Sequence, residues 1–382
     1  VTSAEAADKA ARLAEARARL AALFASAGHV PVEPAHMQPA GVLLDLYGED
    51  IRGRSFIFPD NERLGELCLR PDFTVPVAVM HGDGPGWDRA AAYSYIGPVF
   101  RRQEVPMQRP LEYLQAGVER FGDTDRPAAD AAVFALIREG LAALGVENGH
   151  ATVGDLGIPF AAISAVEMSE SRRRGLRRHF WRPGRFHEML AAYTRAAPEP
   201  TPMRAALLAA LDAPDPAAAV AGLANGAAMV GLRDIDDILD RARVLKEEAA
   251  EPPIAEEAAG LIEAILAVAG PASEAVGQLR DLATGAGVDL AGPIDMLERR
   301  LAAIDAAGIA PETLEFDAAF GRNLEYYDGF VFEIVSRRGA SGPPLAGGGR
   351  YDAMTVRLGA PGPVPAVGGM IRPEAALAAG GA

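Results

Sequence analysis

Residues 111–122, LEYLQAGVERFG, hold the densest set of groups able to grip a polar ligand. Side chains alternate faces along a strand, so Tyr113, Gln115, Gly117 and Glu119 share one side, and Leu114, Ala116 and Val118 the other. A row of aromatic, amide, glycine and carboxylate makes a poor core but a serviceable ligand floor. Glycine leaves room, while amide and carboxylate supply directed acceptors. An exposed strand face fits the same row, and the row alone does not separate the two.

Three more segments wedge polar groups among apolar ones. LRPDFT (69–74) sets Arg70 and Asp72 around Pro71, and RNLEYYDG (322–329) puts Arg322 and Glu325 beside Tyr326 and Tyr327. AGGGRYD (346–352) is glycine-rich but lacks the Lys-Ser/Thr ending of a phosphate loop and the spacing of a dinucleotide fingerprint. Singly, each reads as a turn or a satisfied core polar group. His187-Glu188 opens like a zinc-protease motif, but Leu190 and Ala191 stand where a second histidine is needed, so no metal site is expected. Residues 171–187 carry seven arginines (172, 173, 174, 177, 178, 182 and 185) among Phe180, Trp181 and Phe186. They read either as a solvated helix face paired with Glu167 and Glu170, or as a docking patch for an acidic partner, since Arg and Trp are enriched at interfaces.

These groups need elements to position them. Periodicity predicts a helix over 4–27, a proline-punctuated, partly extended stretch over 30–47, and short apolar runs alternating with turns over 52–82. A strand–loop–strand unit follows over 93–121, then a helix over 127–144 and a strand at 151–156. From about 160 to 310 the period is helical, with no strand pattern; strands return after Pro311, followed by a glycine-rich turn and a final helix. The expected fold is α+β: an antiparallel sheet flanked by helices over 1–159 and 313–382, interrupted by an all-helical insertion over 160–312.

Composition narrows the classes. A chain of 382 residues suits two or three domains, and 49% hydrophobic residues allow a sizeable core. Mean hydropathy is +0.07, and no apolar run approaches the roughly 20 residues of a membrane helix. Residues 1–27 interleave charges where a signal peptide needs an apolar centre. The single cysteine, Cys68, excludes an intrachain disulfide and a cysteine-built metal site, and Leu67 and Leu69 beside it suggest burial. A cytoplasmic chain with no membrane partner is expected. The net charge of −15 argues against a nucleic-acid partner.

Together the polar segments resemble something specific. LRPDFT, the VFRRQ…RPLEYLQAGVERFG hairpin, RNLEYYDGFVFE and GGGRYDAM resemble, in order and spacing, the catalytic core of histidyl-tRNA synthetase, a class II aminoacyl-tRNA synthetase. Pro34 resembles the proline of the dimer-forming motif 1, the hairpin resembles motif 2, and PAVGGMIRPEAAL resembles motif 3. The resemblance covers roughly residues 10–125 and 316–380. It implies the class II synthetase fold and a pocket for free histidine. In that pocket Glu119 would pair with the imidazole, and Gln115 and Asp72 would hold the α-amino group with Thr74 alongside. Arg101 and Arg322 would face the carboxylate, and Tyr326, Tyr327 and Tyr351 would wall in the ring.

Departures from the synthetase pattern bear on activity. Class II enzymes stabilise ATP phosphates with an arginine in motif 2 and another ending motif 3, and hold adenine with a motif 2 glutamate. Arg101 remains, but Gln103 takes the glutamate position, Leu111 that of a second motif 2 arginine, and Ala375 that of the motif 3 arginine. Arg372, three residues earlier on an expected helix, should point elsewhere. Losing one preorganised donor typically costs about 10²–10³ in rate, so the resemblance implies that adenylation is lost. The chain also stops soon after motif 3, so no anticodon-binding domain is expected.

A histidine pocket kept beside a dismantled ATP site is similar to the ATP phosphoribosyltransferase regulatory subunit family. That likeness implies no catalytic residue and no cofactor here. It implies a short-form catalytic subunit as partner, L-histidine as feedback effector, and a homodimer within a hetero-oligomer, a hetero-octamer in that family. Two rivals are a stand-alone class II ligase-like enzyme activating histidine or a related amino acid, and an RNA-binding module using the arginine stretch.

Overall fold

The first amphipathic pattern forms α1 (Ser3–Ser26) in the computed structural model, which describes residues 3–60, 65–102, 110–196, 199–223, 234–321, 325–337 and 343–380. Ala16, Leu20 and Phe24 recur every four residues along α1 and are buried, forming the stripe that holds a surface helix in place. The next stretch is less extended than expected. It holds β1 (Val30–Pro31) and β2 (Met37–Pro39), and then α2 (Ala40–Arg54) begins directly after Pro39. No proline interrupts α2, and Leu43, Leu46 and Ile51 bury at helical spacing, so packing outweighs the proline signal before it.

β3 (Ile57–Asp60) and β4 (Gly65–Leu69) join β2 in a small antiparallel sheet of order β2-β4-β3. Cys68 is buried there, and burial pushes its thiol up to about 11. A helix, α3 (Thr74–Asp83), stands where sequence suggested further short runs and turns. Pro76 lies in its first turn, where the missing N–H forfeits no helical bond.

β5 (Ala91–Phe100) and β6 (Glu112–Phe121) pair antiparallel over their full lengths, Ala91 opposite Phe121 and Phe100 opposite Glu112. α4 (Arg126–Ala143) is capped by Asp125, whose side chain accepts from the Ala128 N–H at 3.3 Å. β7 (His150–Asp155) follows. Among the described residues, seven helices come next: α5 (Gly157–Ala165), α6 (Glu170–His179), α7 (Pro183–Tyr193), α8 (Pro202–Ala210), α9 (Pro216–Leu223), α10 (Ile235–Ala250) and α11 (Glu256–Leu266). Pro183, Pro202 and Pro216 open α7, α8 and α9 at a position where the missing N–H forfeits no helical bond.

The chain then forms β8 (Ala269–Pro271), α12 (Ala272–Ala286), α13 (Ala291–Ala306), β9 (Glu315–Asp317) and β10 (Phe330–Val335). β11 (Ala346–Arg350), α14 (Asp352–Arg357), β12 (Ala366–Ile371) and α15 (Pro373–Gly380) complete it. The large sheet runs β1-β5-β6-β12-β11-β10-β7-β9-β8. Its neighbours are antiparallel except for the parallel contacts β1·β5 and β7·β9. The segment expected to be a glycine-rich turn is therefore a central strand, β11, and its glycines let β10 and β12 approach closely.

Two compact units emerge: residues 1–159 with 264–382, and residues 160–263. The second ends well before the expected 312. Helical period could not reveal that α13 packs along α4, that its Arg300 is buried against Asp130 and Asp155, or that β8 extends the sheet through β9. Those contacts return the chain to the first unit at Ala264. In the second unit α8, α9 and α10 share a core of Ala210, Val220 and Leu239. Among the described residues no helix is long and apolar enough to cross a membrane.

Candidate functional site

Alternation along β6 places Gln115, Gly117 and Glu119 on one face, as expected, but neither face is open. Gln115 and Glu119 are buried, and so are Leu114, Ala116 and Val118 opposite them. The exposed-face reading fails because Thr74 of α3, Tyr95 of β5 and Tyr351, just after β11, bring their hydroxyls over the polar row.

Glu119 is the centre of this cluster. Its Oε1 accepts the Thr74 hydroxyl at 2.7 Å and the Tyr95 hydroxyl at 3.2 Å, and its Oε2 accepts the Tyr351 hydroxyl. Thr74 starts α3, Tyr95 comes from β5 and Tyr351 leads into α14, so three elements converge on one carboxylate. Tyr326 donates to Asp72 Oδ2 at 3.3 Å, and its ring lies 4.6 Å from Tyr327 and 5.9 Å from Tyr351. The Gln115 carbonyl Oε1 is buried with no hydrogen-bond partner among the described residues.

Electrostatics follow from burial. Desolvation pushes the Glu119 carboxyl up to about 8, with the Asp72 charge acting in the same direction and the three hydroxyls opposing it. Burial likewise holds the Tyr95 and Tyr351 phenols well above their ordinary range, and the charge on Glu119 adds to this. Among the described residues Glu119 has no arginine, lysine or histidine partner. Such a cluster favours a ligand that brings positive charge and N–H donors.

The surroundings brace it. Phe73 lies between Tyr95, parallel at 4.2 Å, and the Arg70 guanidinium 4.0 Å from its ring. Arg70 is fully buried; it donates through Nε to Pro98 O at 2.9 Å and through Nη1 to Pro34 O, tying LRPDFT to β5 and to the proline before β2. Burial lowers its guanidinium to about 10. Gly117 makes room for Tyr95, whose hydroxyl would stand 2.6 Å from a Cβ placed there. Asp328 accepts the Asp352 N–H at 3.1 Å and the Ala353 N–H, and burial pushes its carboxyl up to about 7.

Next to Tyr351 lies an ion network that is buried except at Arg126. Arg350 reaches Asp130 at 2.6 Å and Asp352 at 2.8 Å, Arg126 reaches Asp352 at 2.8 Å, and Arg300 joins Asp130 at 2.7 Å to Asp155.

Asp72, Thr74, Gln115, Glu119, Tyr326, Tyr327 and Tyr351 thus lie in or beside one buried cluster. Arg101 braces its edge, donating through Nε to Pro71 O at 2.7 Å. Arg322 and Gln103 fall outside the described residues. Leu111 is exposed ahead of β6, and Ala375 sits half-buried in the first turn of α15. Arg372 is not on that helix: it joins β12 to α15, donates to Pro344 O at 2.5 Å and lies 5.7 Å from the Tyr113 ring. Tyr95, Asp328 and the ion network escaped sequence reasoning. Tyr95 could have been found, because it pairs with Gly117 in the hairpin register. Asp130 could have been noticed as an acid among Ala129, Ala131 and Val133 on the buried face of a helix.

Comparison with known proteins extends this geometry. A family model described as histidyl-tRNA synthetase matches residues 6–241 and 232–375. An ATP phosphoribosyltransferase regulatory subunit from Mesorhizobium japonicum is 35% identical over 364 residues, spanning 92% of this chain and 93% of that protein. One from Agrobacterium fabrum is 34% identical over 353 residues, 87% of this chain and 88% of that protein. Among solved structures, an ATP phosphoribosyltransferase regulatory subunit/histidyl-tRNA synthetase from Bacillus halodurans matches with TM-score 0.67 at 20% identity, over 96% of this chain and 78% of that one. The histidyl-tRNA synthetase of Nostoc sp. PCC 7120 matches with TM-score 0.60 at 15% identity, over 96% of this chain and 70% of that one. At those identities the structures speak to the fold alone, which is that of histidyl-tRNA synthetase. With the sequence identities to full-length relatives, they show that the chain belongs to the family of ATP phosphoribosyltransferase regulatory subunits.

Proposed function

We propose that this chain is the regulatory subunit of an ATP phosphoribosyltransferase in histidine biosynthesis, catalyses no reaction itself, and senses L-histidine in the cluster around Glu119. The observation that carries the sensing role is Glu119: a buried carboxylate served by three hydroxyls and, among the described residues, no cation, beside Asp72 and a Gln115 carbonyl with no hydrogen-bond partner among those residues. Histidine brings an ammonium and ring N–H groups, the complement of that set. Glu119 pairs with the imidazole, Asp72 and Gln115 take the α-ammonium, and Tyr326, Tyr327 and Tyr351 enclose the ring. Leu111 and Ala375, apolar at positions where a class II synthetase carries arginines, support the absence of adenylation chemistry.

The chain acts through a short catalytic subunit, as a homodimer within a hetero-oligomer. Histidine then inhibits only to the extent that it binds the low-activity arrangement of the complex more tightly. The test is phosphoribosyl-ATP synthesis by the catalytic subunit, with and without this chain, titrated with histidine. Activation by the chain and its reversal by histidine are expected, with reversal lost in Glu119→Ala. A catalytic subunit indifferent to the chain would sink the regulatory reading. Reversal intact in Glu119→Ala would move the effector elsewhere.

A further inference from the structure

Glu119 takes the imidazole of the ligand proposed above, and Asp72 and Gln115 its ammonium; the ligand's carboxylate needs a partner of its own, because a charge taken out of water unpaired is costly. The register of β12 against β6 brings one to the floor. Gly368 lies opposite Glu119, Met370 opposite Gly117 and Ile371 opposite Ala116. One residue further, Arg372 falls level with Gln115, at a distance from Glu119 along the polar row. Alternation fixes its face. Ile371 points at α4, since its Cδ1 would stand 2.5 Å from a Cβ placed at Gly140. Arg372 therefore shares the opposite face with Gly368 and Met370. The Tyr113 ring, 5.7 Å from the guanidinium, belongs to that same face.

The backbone that delivers this arginine is held on both sides. Its N–H donates to Leu345 O at 2.8 Å, beside β11, and its carbonyl accepts the Ala376 N–H at 2.9 Å in the first turn of α15. Glu374 accepts the Leu114 N–H at 3.0 Å, which ties the start of α15 to the strand carrying Tyr113 and Gln115. The Arg372 side chain is half-buried and donates through Nη1 to Pro344 O at 2.5 Å. A guanidinium has five N–H donors in a planar fork, so bonding one backbone carbonyl does not exhaust it. Arg101 is placed differently. Its N–H donates to Leu111 O at 2.8 Å, four residues short of Gln115, and its Nε holds Pro71 O.

We propose that Arg372 binds the carboxylate of the effector and makes the site selective for a free α-amino acid over analogues that lack that charge. The assignment rests on the histidine-sensing reading above. Glu119 and Gln115 are four strand residues apart, about 13 Å at roughly 3.3 Å each. With side chains leaning in from both ends, one small amino acid lies along the row, its ring towards Glu119 and its carboxylate towards Arg372. An arginine fork matches a carboxylate with two parallel bonds, and such charge-assisted pairs are stronger than neutral ones.

The experiment compares calorimetric titrations of the intact chain with L-histidine and with L-histidinol, which carries a hydroxyl group in place of the carboxylate. Wild type, Arg372→Met and Arg372→Lys are measured, and urea unfolding checks that each is folded. The wild type should favour histidine by about tenfold or more, as expected of a charge-assisted pair. In Arg372→Met, histidine binding should fall by that factor while histidinol binding stays within about twofold, so the preference disappears. Arg372→Lys keeps the charge without the fork and should retain part of the preference. Equal weakening of both ligands in Arg372→Met shows a bracing role alone and overturns the proposal. A preference that survives in Arg372→Met puts the carboxylate on another cation and overturns it as well. If Arg372→Met does not fold, Arg372→Gln takes its place under the same criteria. A wild type that binds both ligands equally overturns the Arg372 assignment and leaves the sensing reading intact, whereas one that binds neither removes both.

Discussion

Gly368 lies directly opposite Glu119 in the β6–β12 register, and a Cβ at 368 would stand 1.7 Å from the Glu119 Oε2 oxygen. The carboxylate occupies space that only glycine leaves, because β12 runs against β6 on one side and the Tyr351 hydroxyl holds the same oxygen on the other. Gly368→Ala forces Glu119 out of its hydroxyl bonds. Histidine affinity should fall at least a hundredfold, and overpacking of this kind costs about 1–3 kcal/mol of stability. Calorimetric titration with histidine alongside urea unfolding checks both. Wild-type affinity in the folded variant would show that Glu119 does not hold the ligand.

Proton counting gives a distinctive pH profile for histidine binding. In the free chain Glu119 keeps its proton up to about pH 8, while the free imidazole is neutral above about 6.5. The complex needs one proton on the carboxylate–imidazole pair. Between those two values the chain already supplies it, so binding exchanges no net proton and affinity is flat. Below about 6.5 binding expels a proton, above about 8 it takes one up, and affinity falls on both sides. Titrations near pH 7.2 in buffers of different ionisation enthalpy should give the same apparent heat. A clear buffer dependence there would exclude the pairing.

The unliganded chain carries a related signature. A carboxyl whose folded pKa is raised holds its proton more tightly folded than unfolded. Its contribution is therefore fully present below the unfolded value near 4.5 and drains away as pH climbs through about 8. Glu119→Gln has no proton to lose. The difference in stability between the two chains should shift by about 1.4 kcal/mol per pH unit within that window, in favour of Gln at high pH. Urea unfolding at pH 5, 6.5 and 8 measures it, and parallel curves would mean that Glu119 titrates normally.

Local chemistry was legible where a period of two or a cap decides the structure. The alternation of Tyr113, Gln115, Gly117 and Glu119 gave the faces of β6, and Asp125 with Pro127 opened α4 close to where the period placed it. What covers a face was not legible. Thr74, Tyr95 and Tyr351 reach Glu119 from 45, 24 and 232 residues away in sequence. Nothing in β6 alone announces that its polar row is sealed. The same limit misplaced the second unit's end, since helical period is identical whether a helix packs in a separate bundle or, like α13, against α4. Arg372 was misjudged for a smaller reason: the helix starts at Pro373, the first position proline favours, and so leaves the arginine outside it.

Arg300 supplies the sharpest test of how the first unit is held together. It is almost fully buried on α13 and spans Asp130 of α4 and Asp155 of β7, whose Oδ1 also accepts the Gly157 N–H at 2.9 Å. Asp130 keeps a second cation in Arg350, but among the described residues Asp155 has no other. Removing the guanidinium leaves a buried carboxylate uncompensated, which typically costs about 3–5 kcal/mol. Arg300→Met should show that loss in urea unfolding, together with earlier hydrogen exchange in α13. Arg300→Met/Asp155→Asn should recover part of it, because the stranded charge is gone while the methionine stem still fills the space beside Phe330. The recovery, taken as a double-mutant cycle, isolates the Arg300–Asp155 term from the packing of α13. A single substitution costing under about 1 kcal/mol, with no recovery in the double, would mean that α13 is held by its apolar face alone.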